Sequence, residues 1–189
     1  YEYLFGYYDK CPWDNAGNYI LALRVRNAYK EADACEEAEI VRINVKNKAV
    51  EMLNTTHTWN VQQGCMAQWL NDDKILFNDI RNNRYCAVVY CISDRSERVI
   101  EFPVYTVSND KKTALSLDFS RLHRLRPGYG YANLPDKYSD NKCPDDTCIW
   151  RIDLESGEVE TLLKYTELAN FETKETMIDA EHKVNHLMI

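Results

Sequence analysis

Within six residues of an acidic chain stand Arg121, His123, Arg124 and Arg126, followed by Tyr129 and Tyr131 on either side of Gly130. An arginine fork binds carboxylate or phosphate through two parallel hydrogen bonds, and a tyrosine offers a sugar ring both a face and a hydroxyl. On a loop, this set predicts a rim that binds an acidic saccharide, with Arg121, Arg124 and Arg126 holding carboxylates and Tyr129 or Tyr131 stacking on a ring. The same arginines have acidic neighbours in Asp136, Asp140, Asp145 and Asp146. A second reading therefore stays open, in which the cluster pairs internally and pins its own loop.

His182 and His186 are four residues apart. On a helix that spacing puts both imidazoles on one face, within reach of one metal ion; on a strand it keeps them on one side but about 13 Å apart. The segment reads as a strand, so a shared metal is not expected, whereas one histidine lining a channel is. Were the protein a lyase, His123 or His182 would be the first candidate to take the proton α to a uronate carboxylate, while a cation or an arginine stabilised the enolate. Gln68, which follows Gln62 and Gln63 and precedes Trp69, is expected to face the ligand, with Trp69 packed between sheets. Asp9, Asn78 and Asp79 read equally as ligand-facing groups and as turn caps. The sequence has no GxGxxG, no phosphate-cradling glycine loop and no GxSxG elbow, so a nucleotide site of those types is not expected.

The 189 residues carry a formal net charge of −7 and are 45% hydrophobic and 12% aromatic, which excludes a disordered acidic tail. The acidic balance argues against nucleic acid as a partner. No run reaches the roughly 18 apolar residues of a membrane helix, so no membrane span is expected, and no charged-then-apolar leader opens the chain. The seven cysteines are dispersed without a CxxC pair, which argues against a zinc ribbon. Cys86 and Cys91 project to opposite sides of one strand, and the short span from Cys143 to Cys148 permits a disulfide. Asn54-Thr55-Thr56 matches a glycosylation sequon.

The elements that would position these residues are strands. Ile75 to Ile80 and Tyr85 to Tyr90 are β-prone runs joined across Asn82-Asn83, and asparagine tolerates the positive φ of a tight hairpin turn. Three segments, 41–50, 90–99 and 150–159, repeat one pattern of alternating strand, short polar turn and second strand. Each is preceded by a polar turn entering an apolar strand, at 14–21, 71–77 and 108–115. Two kinds of hairpin recurring in the same order describe four-stranded antiparallel units, the blades of a propeller, where a β-sandwich requires no such recurrence. The expected architecture is all-β: a partial β-propeller of about three blades plus the start of a fourth. Blade one covers 1–56, blade two 57–102, and blade three 103–164 with a long polar insertion at 119–147. Residues 165–189 form a connector, helical around Thr166 to Phe171, and open blade four. The chain reads as one incomplete domain whose remaining blades are its own missing partner.

The turns at Asn71-Asp72-Asp73-Lys74 and Ser108-Asn109-Asp110-Lys111 resemble the turns of TolB-type propellers, as does the hairpin from Ile152 to Glu158. The string from Ser116 to Tyr131 and the segment from His182 to His186 are similar to a bacterial group related to oligogalacturonate lyases, often carried under a glycosyl transferase label. That resemblance implies carbohydrate chemistry. In the lyases a manganese ion in the central channel is held by histidines and a glutamine, and an acidic sugar is cleaved by β-elimination. Of such ligands only His182 and His186 have counterparts by position here, and the others would lie beyond Ile189. The resemblance thus leaves two alternatives beside a lyase: a non-catalytic propeller scaffold, or a propeller accessory to polysaccharide assembly.

Overall fold

Strands buried on both faces lose the apolar–polar alternation of a surface strand, and the middle of this chain shows that loss. Ile75, Phe77, Cys86, Val88 and Tyr90 point into one core with Leu21, Leu23, Ala38 and Ile40, while Leu76, Ala87 and Val89 point the other way, into a second core with Ala114 and Ile152. Successive side chains on a strand face opposite sides, so one sheet feeds two cores. Each such residue, once buried, contributes roughly 1.5–3 kcal/mol of hydrophobic stabilisation if it is as large as valine or phenylalanine.

The fold is described from a computed structural model covering residues 1–28 and 36–189, so Cys35 lies outside the described residues. Among the described residues, twelve strands form three four-stranded antiparallel sheets, each in sequence order. Blade one holds β1 (Glu2–Leu4), β2 (Tyr19–Val25), β3 (Ala38–Asn44) and β4 (Val50–Thr56). Blade two holds β5 (Gln68–Asn71), β6 (Lys74–Arg81), β7 (Arg84–Cys91) and β8 (Glu97–Ile100). Blade three holds β9 (Thr106–Val107), β10 (Thr113–Leu117), β11 (Thr147–Asp153) and β12 (Val159–Lys164). Blade two is the filling between its neighbours, and the whole is an all-β partial propeller. The β6–β7 turn has Asn82 and Asn83 at φ 50° and 58°, the left-handed geometry that a two-residue hairpin demands.

The repeat holds at the level of single hydrogen bonds. In the β3–β4, β7–β8 and β11–β12 turns the N–H of Asn44, Cys91 and Asp153 donates to the carbonyl five residues on, at Ala49, Ser96 and Glu158, each at 2.9 Å. The next N–H in each case, from Val45, Ile92 and Leu154, reaches back to the first hairpin of its own blade, at the carbonyls of Asn18, Asp73 and Lys112. Two hairpins are thereby tied into one unit three times over. Between blades, the Trp69 indole N–H donates to the Pro12 carbonyl at 2.9 Å and the Asn15 N–H to Asp72 Oδ1 at 2.9 Å.

Two parts depart from the expected plan. The insertion starts with a helix, α1 (Phe119–Leu125), and the connector holds α2 (Tyr165–Asn170), one residue earlier than predicted. No strand follows α2; a single 3-10 turn at Glu175–Met177 precedes an irregular stretch that contains His182 and His186. The expected opening strand of blade four is thus absent. A blade's first strand needs its own second strand to complete a ladder, and here Val184 and Leu187 instead pack against Tyr165, Ile149 and the Tyr105–Phe119–Tyr131 core. Cys143 and Cys148 are free thiols rather than a disulfide, and the Cys148 thiol points to the Leu163 carbonyl.

Candidate functional site

Asp118 caps α1, its Oδ1 accepting the Arg121 N–H at 2.9 Å, which satisfies one of the donors that a helix start leaves without a partner. Phe119 and Leu122 bury the inner face of the helix, and Arg121 is buried with them. Its Nε donates to the His182 carbonyl at 2.6 Å. Nη1 meets Asp136 Oδ2 at 3.2 Å and the Tyr138 carbonyl at 3.1 Å, and Nη2 the carbonyls of Asn141 and Lys142 at 2.9 and 2.8 Å. The expectation that Arg121 holds a ligand is corrected: every nitrogen of its fork is engaged by the insertion or by the His182 backbone. Arg124 binds Asp136 at 2.8 Å and Glu181 at 3.0 Å. The internal-pairing reading therefore describes both arginines, through Asp136, whereas Asp145 and Asp146 bond to Lys164 and Lys137.

Tyr131 is corrected for the same reason. It is buried, stacked on Phe119 at 4.4 Å, and its hydroxyl accepts from Asn78 Nδ2 at 2.9 Å. Asn78, also fully buried, holds the Val104 backbone on both sides, at 2.8 Å to its N–H and 2.8 Å to its carbonyl. The pair locks the insertion of blade three onto blade two and reaches no ligand. Arg126 and Tyr129 remain at the surface, with the guanidinium 4.1 Å from the Tyr129 ring centroid. His123 lies half-buried on α1, and His182 is held by its backbone, its N–H donating to the Lys142 carbonyl at 2.9 Å.

Sequence reasoning underrates the inner side of the sheets. A cleft of about 460 Å³ runs along the inner strands, its walls including Tyr8, Asp9, Lys10, Trp13, Gln68, Trp69, Lys111 and Met188. Gln68 lines this cleft, and its Nε2 also donates to the Met66 carbonyl at 3.3 Å. Lys10 is buried, its ammonium 2.5 Å from Asp9 Oδ2 and 5.6 Å from the Tyr105 ring centroid. Burial pulls its pKa below that of an ordinary lysine, against the opposing pull of Asp9.

Behind this pair sits Tyr105, whose hydroxyl accepts from Gln63 Nε2 at 2.7 Å and the His186 N–H at 3.1 Å and donates to Asn185 Oδ1 at 3.0 Å. Burial pushes the phenol up to about 12, keeping it a neutral hub. At the edge, the rings of Tyr7 and His186 stack at 5.5 Å, with the hydroxyl and Nε2 3.1 Å apart. Tyr129 meets both edge-on, and Tyr8 lies 4.3 Å from Tyr7. A continuous aromatic path therefore joins Arg126 to the cleft. Lys10 and Tyr105 carry no motif in the sequence; only the packing of separate blades reveals them. Asp9 is the exception, read from the sequence as a ligand-facing group or a turn cap.

Among the described residues no three His, Cys, Asp or Glu side chains gather as a metal would need, and His186 Nε2 lies 3.1 Å from the Tyr7 hydroxyl.

Strand order and face-to-face cores define the chain as part of a β-propeller. No family model and no curated protein matches the sequence. Among solved structures it is similar to TolB from Acinetobacter baumannii, at 14% identity and a TM-score of 0.48, covering 79% of this chain and 30% of that one. It is also similar to the AtxE2 isopeptidase in its apo form, at 10% identity and a TM-score of 0.44, covering 86% and 30%. The chain spans about a third of the length of either. Among the described residues no helix is long and apolar enough to cross a membrane.

Proposed function

We propose that this partial propeller binds an acidic saccharide where its inner strands meet, with Arg126 facing a carboxylate, Tyr129, Tyr7 and Tyr8 stacking on sugar rings, and Gln68 bonding to hydroxyls inside the cleft. The observation that carries the reading is the aromatic path from Arg126 to the cleft, since aromatic faces beside amide and cationic groups suit a ring that is apolar on its faces and polar at its rim. Binding without cleavage is the form the geometry favours: neither His123 nor His182 lines the cleft. A scaffold without a ligand is the rival.

Calorimetric titration of the full chain with digalacturonate tests this. Binding is expected, weakened about tenfold by Arg126→Ala, the loss of one charge-assisted hydrogen bond. Absence of binding, or an unchanged affinity in the variant, overturns it. Release of unsaturated product, followed by ultraviolet absorbance with and without manganese, would establish a lyase in place of a binder.

A further inference from the structure

Three buried polar atoms grouped about Tyr105 have no hydrogen-bond partner among the described residues: Asp9 Oδ1, Gln63 Oε1 and Asn185 Nδ2. Folded proteins leave few such atoms, because each forfeits its hydration without compensation. Gln63 is fully buried, and its amide is already oriented by the Tyr105 hydroxyl. Of the three residues, Asp9 also lines the cleft, beside Lys10.

The pair offers a defined complement. Asp9 Oδ2 is taken by the Lys10 ammonium at 2.5 Å, so Oδ1 is left to accept, while an ammonium with three protons has more than one to give. A carboxylate at this point would meet Asp9 Oδ1, and a bare cation would meet the Lys10 ammonium, each with like charge at short range. A hydroxyl pair meets both groups favourably, one hydroxyl donating to Asp9 and its neighbour accepting from Lys10. Trp13 and Trp69 line the same cleft and supply flat apolar surface for a ring.

We infer that Asp9 and Lys10 form a subsite for two adjacent hydroxyl groups of a sugar ring. The inference rests on the saccharide reading and deepens it: the cleft takes the adjacent hydroxyls of one ring, and Arg126 outside it takes the carboxylate of another.

The full chain is titrated with galactose and with digalacturonate. Asp9→Asn is expected to weaken both by about tenfold, whereas Arg126→Ala weakens only the acidic ligand. Asp9→Asn strands a buried ammonium, so Asp9→Asn combined with Lys10→Met, which removes both charges, gives the same readout if the single variant does not fold. Galactose that fails to bind the wild type, or binds these variants equally well, overturns the subsite. Digalacturonate binding that ignores Asp9→Asn overturns it too and leaves the acidic reading standing. Galactose binding that depends on Asp9, without digalacturonate binding, supports the subsite and overturns the acidic reading alone.

Discussion

The guanidinium of Arg121 and the carboxylate of Asp136 meet at 3.2 Å with both side chains completely shielded from water. Four backbone carbonyls complete the shell around the guanidinium. The pair ties α1 to the far half of the insertion and to the His182 segment, which share no regular ladder with it.

Removing one member of such a pair leaves the other charged and dry. Arg121→Met is expected to destabilise the fold by about 3–5 kcal/mol, read by urea unfolding. Arg126→Ala, at the exposed end of the same cluster, is expected to stay within about 0.5 kcal/mol of wild type. Comparable losses in the two variants would contradict the division of the arginines into buried pin and surface contact.

Gly130 and Gly157 both have positive φ, at 68° and 79°, yet they should respond differently to a side chain. A Cβ at Gly130 would stand 2.3 Å from the Phe119 carbonyl oxygen and 2.7 Å from the His123 nitrogen, both backbone atoms of α1. Gly130→Ala is therefore expected to lower stability by more than about 2 kcal/mol, through strain and forced displacement of the helix. A Cβ at Gly157 meets nothing within 4 Å, and the matching turn positions in blades one and two hold Lys48 and Arg95 at φ 63° and 59°. Gly157→Asn should cost under about 1 kcal/mol, both variants being compared with wild type by thermal unfolding.

Asp146 receives the Tyr138 hydroxyl, and Lys137 lies 2.9 Å from the same oxygen. Those partners, the Tyr138 hydrogen bond foremost, hold its pKa at about 2, below the ordinary 3.8. A carboxyl depressed in the folded state adds stability that is complete above its unfolded pKa and vanishes as pH falls through the folded one. The loss should fall between pH 3.8 and about 2. Asp146→Asn is expected to flatten the decline of stability across that window, followed by unfolding at successive pH values; an unchanged slope would remove Asp146 from the acid response.

Thiol chemistry should divide the cysteines by burial. Burial raises the pKa of Cys65 and Cys148 to about 12 and that of Cys86 to about 11, leaving almost no thiolate at neutral pH. Cys11 is exposed. Mass-resolved alkylation of the native protein should label Cys11 well before Cys65, Cys86 and Cys148, which react only when the fold opens, so early labelling of Cys65 would contradict the packing between blades one and two.

The repeat is legible without any structure. Strand and turn are local: the Asn82-Asn83 hairpin and the polar turns at 44–49, 91–96 and 153–158 all follow from residue period and from which side chains tolerate positive φ. The rim of arginines and tyrosines was legible as a cluster of residue types, but the same types serve a binding rim and an internal pin. Which of the two each one becomes depends on burial, and burial at Arg121 and Tyr131 is fixed by Asp136, Asn78 and Phe119, distant in sequence or on another blade. The tertiary structure alone decided that. It alone also set the neighbouring Asp9 and Lys10 over Tyr105, almost a hundred positions further on, because only the packing of one blade against another brings these segments together. His182 and His186 show the converse: a strand-like pattern forms no strand without a neighbouring strand to share its hydrogen bonds.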